Sequence, residues 1–223
     1  MATETTNDAV IETGGIPANQ QANLNIVTTP EGTVIANTGT VAGLSATVSG
    51  QVLVSGGRYE STTFSFTNPS GSSAPGVSVS NTTLTGTTII GGTTPDAWSQ
   101  GSIAAGAKSK ATTKTTDTNA DFGEGADSVS FLKKSLDKGS SYKMGGGEDS
   151  VTFGRNTTSK SAKVKLGSND KAGDTVDISK KADIKKLKIS EFGKEDTLKI
   201  GGKTFSYDDL QNKDFKNITI KFD

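Results

Sequence analysis

Adjacent acidic residues are the side chains of this sequence best suited to bond-breaking chemistry. The pairs are Glu148–Asp149, Glu195–Asp196 and Asp208–Asp209, and two carboxyl groups facing each other across a cleft can hydrolyse a glycosidic bond. Neighbouring residues of a strand point to opposite faces, so the members of such a pair do not face one another. The chain also has no His and no Cys, which excludes Ser-His-Asp and Cys-His nucleophiles, imidazole and thiolate metal sites, and disulfides. We therefore expect a protein that is not an enzyme.

Lysines cluster at Lys180–Lys181 and Lys185–Lys186, with Lys188 close by. Such a stripe could contact phosphate groups or an acidic surface. Acidic residues are interleaved with it, namely Asp177, Asp183 and Glu191. Because these acids weaken the positive field and no aromatic residue lies within the stripe to stack on bases, we expect no nucleic-acid partner.

Charge divides the chain into two unequal parts. The 24 basic and 24 acidic residues cancel, so no overall field attracts nucleic acid or an anionic membrane. Only nine charged residues lie in residues 1–110, and the other 39 lie in residues 111–223. This shift predicts a domain boundary in the Thr- and Lys-rich stretch from Lys108 to Ala120. No apolar run approaches the roughly 18 residues of a membrane-spanning helix, so we expect no membrane partner.

The N-terminal residues carry acid where a secretory signal carries base, and no apolar stretch follows them. Residues 1–24 lack any periodicity, which predicts an arm that is flexible or ordered by a partner. The composition, rich in Ser, Thr, Gly and Asn, is typical of proteins that work outside cells. Phage virion proteins, released by lysis, and type I secretion substrates, which carry a C-terminal signal, combine such a composition with no N-terminal signal.

The first half alternates apolar and polar residues with frequent breakers, the pattern of short strands. Phe64 and Phe66 are expected on one face of a strand, Gly76–Ser80 repeats the alternation, and Trp98 supplies one large core residue. Lean hydrophobic content of 31% favours thin β layers over a thick helical core. We therefore expect an all-β protein.

Short sequence segments of this half are similar to bacterial and phage immunoglobulin-like repeats. The similar pieces are Phe-Ser-Phe-Thr-Asn from Phe64, Pro-Gly-Val-Ser-Val from Pro75, and Gly-x-Ile-Ala-Ala-Gly-Ala from Gly101. The resemblance covers residues 40–117 and implies a small immunoglobulin-like β-sandwich over residues 25–117, ending in a tight turn after Gly101. Another small β-sandwich is the alternative.

An internal repeat occupies the second half. Its aspartates, 22, 25 and 22 residues apart, each lie in a turn before an apolar-polar alternating strand; they are Asp127, Asp149, Asp174 and Asp196. A second strand type lies between them after a Lys-rich loop. One strand pair cannot bury its apolar face alone, whereas stacked coils share a narrow core.

The repeat predicts a short two-layer β-solenoid of about four coils over residues 118–223. Alternation places one apolar residue of each coil above the next; these residues are Val129, Val151, Val176 and Leu198. The stretch Gly201–Leu210 breaks the repeat. We expect it to form a hairpin or short helix that caps the open end, because an exposed terminal coil would template further pairing.

The first two turns resemble the RTX nonapeptide Gly-Gly-x-Gly-x-Asp-x-U-x, in which U is a large apolar residue. The matching positions are Gly123, Gly125, Asp127 and Val129, and then Gly145, Gly147, Asp149 and Val151. The resemblance implies a Ca²⁺ ion bound by Asp127 and Asp149 together with backbone carbonyls.

This sequence departs from the RTX pattern in several places. Phe122 and Met144 replace the first glycine, and the third and fourth turns lose the glycine pair and place Lys171 and Lys194 nearby. The alternative is that the aspartates accept hydrogen bonds from turn amides. Apart from calcium, we expect no cofactor.

These features predict a non-enzymatic virion structural protein of a tailed phage. It would be a capsid decoration or cement protein, or a tail accessory protein, whose arm and sandwich attach to a capsid or tail protein while the charged solenoid faces outwards. Many weak contacts, repeated by symmetry in a homo-oligomer, would supply the attachment. The alternative is a type I-secreted, RTX-like calcium-binding surface or adhesion protein, located outside the cell.

Overall fold

The computed structural model describes residues 3–5, 9–12, 15–29, 32–67, 74–101, 112–167 and 171–223. The N-terminal elements are β1 (Thr3–Thr5), β2 (Ala9–Glu12), α1 (Ala18–Gln21) and β3 (Leu24–Thr29). The next strands are β4 (Gly32–Asn37), β5 (Thr40–Ala42), β6 (Ser45–Val48), β7 (Gln51–Ser55), β8 (Arg58–Glu60), β9 (Thr63–Phe66), β10 (Gly76–Ser80), β11 (Thr83–Thr85), β12 (Thr88–Gly92) and β13 (Ala97–Gln100).

The strands of the second half follow the same order of short elements. They are β14 (Thr113–Thr116), β15 (Asn119–Gly123), β16 (Ser128–Phe131), β17 (Ser135–Lys138), β18 (Ser141–Lys143), β19 (Ser150–Phe153), β20 (Thr158–Ser159), β21 (Ala162–Lys165), β22 (Thr175–Ile178), β23 (Asp183–Ile184) and β24 (Leu187–Phe192). The C-terminal elements are β25 (Thr197–Ile200), β26 (Lys203–Phe205), α2 (Tyr207–Leu210) and β27 (Ile218–Phe222). Neither α1 nor α2, the helices of the described ranges, is long and apolar enough to cross a bilayer.

The strands form three long, mostly parallel sheets, as in a β-helix. Sheet A has the order β1-β2-β6-β9-β12-β15-β18-β21-β24-β27, sheet B the order β26-β25-β22-β19-β16-β13-β10-β7-β4-β3, and sheet C the order β23-β20-β17-β14-β11-β8-β5. Each coil contributes one strand to sheet B, then one to sheet C, then one to sheet A. Because sheet C has seven strands, β4 to β24 make seven complete coils in the described part of the chain.

The interior is filled by stacks of side chains that repeat from coil to coil. One stack of sheet B joins Val52, Val77, Trp98, Val129, Val151, Val176 and Leu198 in direct register. All seven are 2% exposed or less. The predicted stacking of Val129, Val151, Val176 and Leu198 is therefore confirmed. Shared burial between coils is what makes each short strand stable, since none could cover its apolar face alone.

The solenoid prediction is confirmed in its general form but wrong in its number of layers. The expected Lys-rich loops contain short strands, β17, β20 and β23, that pair with one another and form sheet C. These strands were missed because β20 and β23 have only two residues each and because sheet C buries polar residues such as Thr115 and Asp137. The four coils predicted over residues 118–223 are present, and they belong to a longer stack because the coils also occupy the first half of the chain.

No separate immunoglobulin-like sandwich is present in the described residues. The expected apolar faces exist, since Phe64, Phe66 and Trp98 are buried, but their strands pair in parallel with the next coil instead of forming two antiparallel sheets. Alternation is the same in both architectures because it depends only on the strand pleat. The pairing partner distinguishes them, and alternation within a strand does not reveal that partner.

The coils continue past the expected boundary at residue 117. Strands β11, β12 and β13 pair directly with β14, β15 and β16. Residues 102–111, which include most of the turn predicted after Gly101 and the start of the predicted junction, lie outside the described residues.

The two ends of the stack are covered by elements that do not follow the coil. At the N-terminal end β2 pairs antiparallel with β6 and buries Ala9 and Ile11, and β3 pairs antiparallel with β4. At the C-terminal end β25 and β26 form a hairpin, followed by α2. A capping box between Ser206 and Asp209 begins α2, and the helix buries Leu210.

Candidate functional site

Five aspartates stack along one corner of the coil, just before the strands of sheet B; we call them the aspartate ladder. They are Asp96, Asp127, Asp149, Asp174 and Asp196, all 4% exposed or less. Each of the last four accepts, through Oδ1, a hydrogen bond from the backbone N–H of the ladder aspartate one coil earlier. The N···O distances lie between 2.7 and 3.0 Å. The ladder therefore connects successive coils.

The second carboxylate oxygen of several ladder residues accepts from the turn that precedes it. Oδ2 of Asp96 accepts from the Gly92 N–H at 3.0 Å, and Oδ2 of Asp196 accepts from the Gly193 N–H at 2.8 Å. By contrast, Oδ2 of Asp127 is buried and has no hydrogen-bond partner in the described part of the chain. A buried acceptor without a donor makes a negative charge on Asp127 unfavourable.

Three of the ladder carboxyl groups, those of Asp96, Asp127 and Asp174, have raised pKa values. The pKa of Asp127 is raised to about 8: burial raises it most, the hydrogen bond from the Asp96 amide lowers it, and the nearby carboxylates of Asp149, Asp96 and Glu124 raise it. Burial likewise raises the pKa of Asp174 to about 7 and that of Asp96 to about 6. Near neutral pH, Asp127 is therefore a neutral acid for much of the time.

The turns that carry Asp127 and Asp149 pack backbone against backbone. Gly123, Gly125, Gly145 and Gly147 all have positive φ, between 88° and 132°. A Cβ at Gly145 would overlap the carbonyl oxygen of Gly123 in the coil before it. The glycine pairs noted in the sequence are thus explained by left-handed backbone and by close approach between coils.

The two residues expected to bind calcium, Asp127 and Asp149, are brought together in adjacent coils. Ca²⁺ requires six to eight oxygen ligands, and here the Oδ1 atoms of both aspartates already accept from amides. Among the described residues no cluster of three or more acidic side chains is arranged to hold a metal ion. The residues present fit the alternative of turn and coil hydrogen bonding, and calcium binding stays a prediction.

A second buried polar cluster was missed at the sequence level. Oδ1 of Asp137 accepts hydrogen bonds from Tyr142 Oη at 3.0 Å and from Thr115 Oγ1 at 3.1 Å. Burial raises the pKa of Asp137, although the bonds from hydroxyl groups lower it. The signal that could have revealed the cluster is a stack at 22-residue spacing, in which Thr115, Asp137 and Ser159 pair in register.

The acidic pairs do not form facing carboxylates. Glu148 is exposed while Asp149 is buried, and Glu195 is exposed while Asp196 is buried. Each buried member belongs to the aspartate ladder. This arrangement lacks the cleft between two carboxyl groups that glycoside hydrolysis requires.

The lysine stripe is spread over several surfaces. Lys185 forms an ion pair with Asp183 at 2.9 Å on the edge of sheet C. Lys188 lies on the outer face of sheet A, where it pairs in register with Lys163. The stripe is therefore not a single continuous basic strip.

The outer faces of the coils change in character along the stack. Val27 and Ile90 are the large hydrophobic residues that are exposed in the described ranges, at 44% and 48%, and both lie in the N-terminal half. The outer rows of the central coils of sheet B carry small hydroxyl residues, and Ser78 and Ser99 there are hydrogen-bonded at 2.9 Å.

Comparison with protein-family models, curated proteins and solved structures finds no match to this chain.

Proposed function

We propose that this chain is a non-enzymatic structural protein of a virion, mounted on the capsid as a decoration or cement protein or on the tail as an accessory protein. The observation that supports this proposal is the stack of seven coils, in which the acidic residues of the ladder are buried and bonded to backbone. Such a stack is a stiff rod, because each coil is hydrogen-bonded to both neighbours. The function of such a rod is then to present binding surfaces to other proteins.

The N-terminal coils supply the surface that attaches to the capsid or tail protein. The exposed Ile90 lies on one of these coils and the exposed Val27 lies on β3, which covers their end; residues 1–110 contain only nine charged residues. Removing water from a weakly charged surface that contains apolar residues costs little free energy at an interface. The charged C-terminal coils face solvent, and repeated copies on a symmetric particle add up weak contacts.

The proposal is tested on particles purified by density gradient from a lysed culture that encodes the chain. Mass spectrometry should find the chain at a fixed copy number per particle. Ile90→Lys should lower that copy number, whereas the matched variant Ser141→Lys, also on the outer face of sheet A, should leave it unchanged. Absence of the chain from purified particles would refute the proposal.

A type I-secreted, calcium-binding surface or adhesion protein is the second candidate. The glycine-rich turns that present Asp127 and Asp149 in adjacent coils favour it. Circular dichroism in EGTA and in excess Ca²⁺ distinguishes the two candidates. We expect the same β spectrum in both solutions for a virion protein, while folding only in Ca²⁺ would support the secreted protein instead.

A further inference from the structure

Sheet C ends one coil earlier than its two neighbours. Its last strand is β23, whereas sheets A and B continue to β27 and β26. The chain turns back at Gly201 and Gly202, which have φ of 60° and 87°, and forms the β25–β26 hairpin instead of crossing beneath β23. In the described part of the chain the outer edge of β23 therefore pairs with no strand.

The peptide groups of β23 show which bonds remain open at this edge. The N–H groups of Asp183 and Lys185 donate to Thr157 and Ser159 of the preceding coil, both at 2.8 Å. Because successive residues of a strand direct their peptide groups to opposite edges, the N–H and C=O of Ile184 point to the open edge. The side chain of Asn217 covers the carbonyl at 2.9 Å, and the N–H has no acceptor among the described residues.

An open groove of about 510 Å³, lined by both apolar and charged residues, lies next to this edge. Four isoleucines line it: Ile178, Ile184, Ile200 and Ile218. Ile178 is 3% exposed, while the other three are only partly buried. The groove is large enough for one or two apolar side chains of another polypeptide.

The rim of the groove is positively charged. Lys180, Lys203 and Lys216 line it, all three are exposed, and none forms an ion pair within the described ranges. The acid on the rim, Asp183, is already paired with Lys185. A carboxylate placed at the rim would therefore meet lysines without a competing partner.

We propose that the groove binds an extended segment of a partner protein that adds a strand to β23 and carries an apolar side chain flanked by carboxylates. The open edge selects a strand, since an added strand can accept from the Ile184 N–H. The isoleucines select the apolar side chain, and the lysines select the acidic flanks. This inference does not depend on the proposed virion function.

The probe is a short synthetic peptide in which Thr residues alternate with the recognition residues. These are one central Ile and one Asp on each side of it. Fluorescence anisotropy should detect its binding to the whole chain, with affinity falling as salt is added. A peptide with Lys in place of both Asp residues should bind roughly tenfold more weakly or worse. Failure of the acidic peptide to bind, or equal binding of both peptides, would overturn the proposal.

Two variants test whether the peptide binds at this groove. The double variant Lys203→Glu and Lys216→Glu should bind the acidic peptide roughly tenfold more weakly. Lys138→Glu, on the exposed face of sheet C far along the chain from the groove, is the matched control and should bind normally. Unchanged binding by the double variant overturns the proposal. Sedimentation that shows self-association abolished by the double variant would replace the partner segment with a second copy of this chain.

Discussion

Of the three ladder residues with raised pKa values, Asp96, Asp127 and Asp174, Asp127 has the highest pKa. It is 1% exposed, its Oδ2 has no hydrogen-bond donor in the described part of the chain, and its pKa is raised to about 8 from 3.8. The folded chain therefore holds a proton on Asp127 at pH values where the unfolded chain has lost it. By linkage, the contribution of Asp127 to the free energy of unfolding increases as pH falls from about 8 towards about 4.

We predict that Asp127→Asn reduces this pH dependence. The amide oxygen of Asn can still accept from the Asp96 N–H, and the amide does not titrate. One such carboxyl group changes stability by at most about 1.4 kcal/mol per pH unit. Urea denaturation from pH 5 to 8.5 should therefore give a shallower decline for the variant than for the native chain.

Asp209 supplies the control carboxyl group for this prediction. Asp209, whose pKa is lowered by bonds from Ser206, stays ionised throughout this range, so Asp209→Asn should not flatten the curve. Parallel curves for the native chain and Asp127→Asn would mean that Asp127 is ionised in the folded protein.

The ladder also shows which residue roles the sequence reveals. The turn aspartates are identifiable because they recur with the same neighbours, and the sequence allows hydrogen bonding to amides as one of two roles for them. The bond to the amide of the previous coil could not be predicted, because it depends on parallel register between coils. Asp137 was not identified at all, since it follows Leu136 in a short strand with no distinctive turn.

At the scale of the element, a coil is held to its neighbours by stacked rings. Phe131 and Phe153 lie in adjacent strands of sheet B, with ring centroids 4.5 Å apart and planes at 3°. Both are 1% exposed or less. Tyr142 meets Phe131 edge-on at 5.4 Å. The aromatic contacts therefore join sheets A and B across the interior.

We predict that Phe153→Ala lowers the free energy of unfolding by about 3–5 kcal/mol, because it removes buried surface and leaves a cavity between coils. Thr152→Ala is the matched control, since Thr152 is the preceding residue of β19 and points outwards. The control should change stability by less than about 0.5 kcal/mol. Equal losses for both variants in urea denaturation would show that the ring stack does not carry this stability.

Only the coils of the second half are recognisable as a repeat in the sequence. In the second half the aspartates are 22, 25 and 22 residues apart, so the repeat is visible. The step from Asp96 to Asp127 is 31 residues, and the earlier coils have Gly50 and Pro75 where a ladder aspartate would lie. These coils have neither a recurring residue nor a constant spacing. Their alternation of apolar and polar residues is therefore equally consistent with a β-sandwich and with a β-helix.

At the scale of the whole molecule, the coils cross the point where charge composition changes. Trp98 pairs in register with Val129, so the first and second halves share both a sheet and a core. The change from nine charged residues to 39 therefore describes the surface of the rod, with a weakly charged end and a charged end. Surface composition and domain structure are separate properties here, although the sequence suggested that one marked the other.

We predict that the two halves unfold together. Trp98 is the only tryptophan, so its fluorescence reports on the first half, while far-UV circular dichroism reports on all strands. Because neighbouring coils bury each other, both signals should change at the same urea concentration, and Phe153→Ala should lower both midpoints equally. A Trp98 transition that Phe153→Ala leaves unchanged, with a second transition in circular dichroism, would instead indicate an independent N-terminal domain.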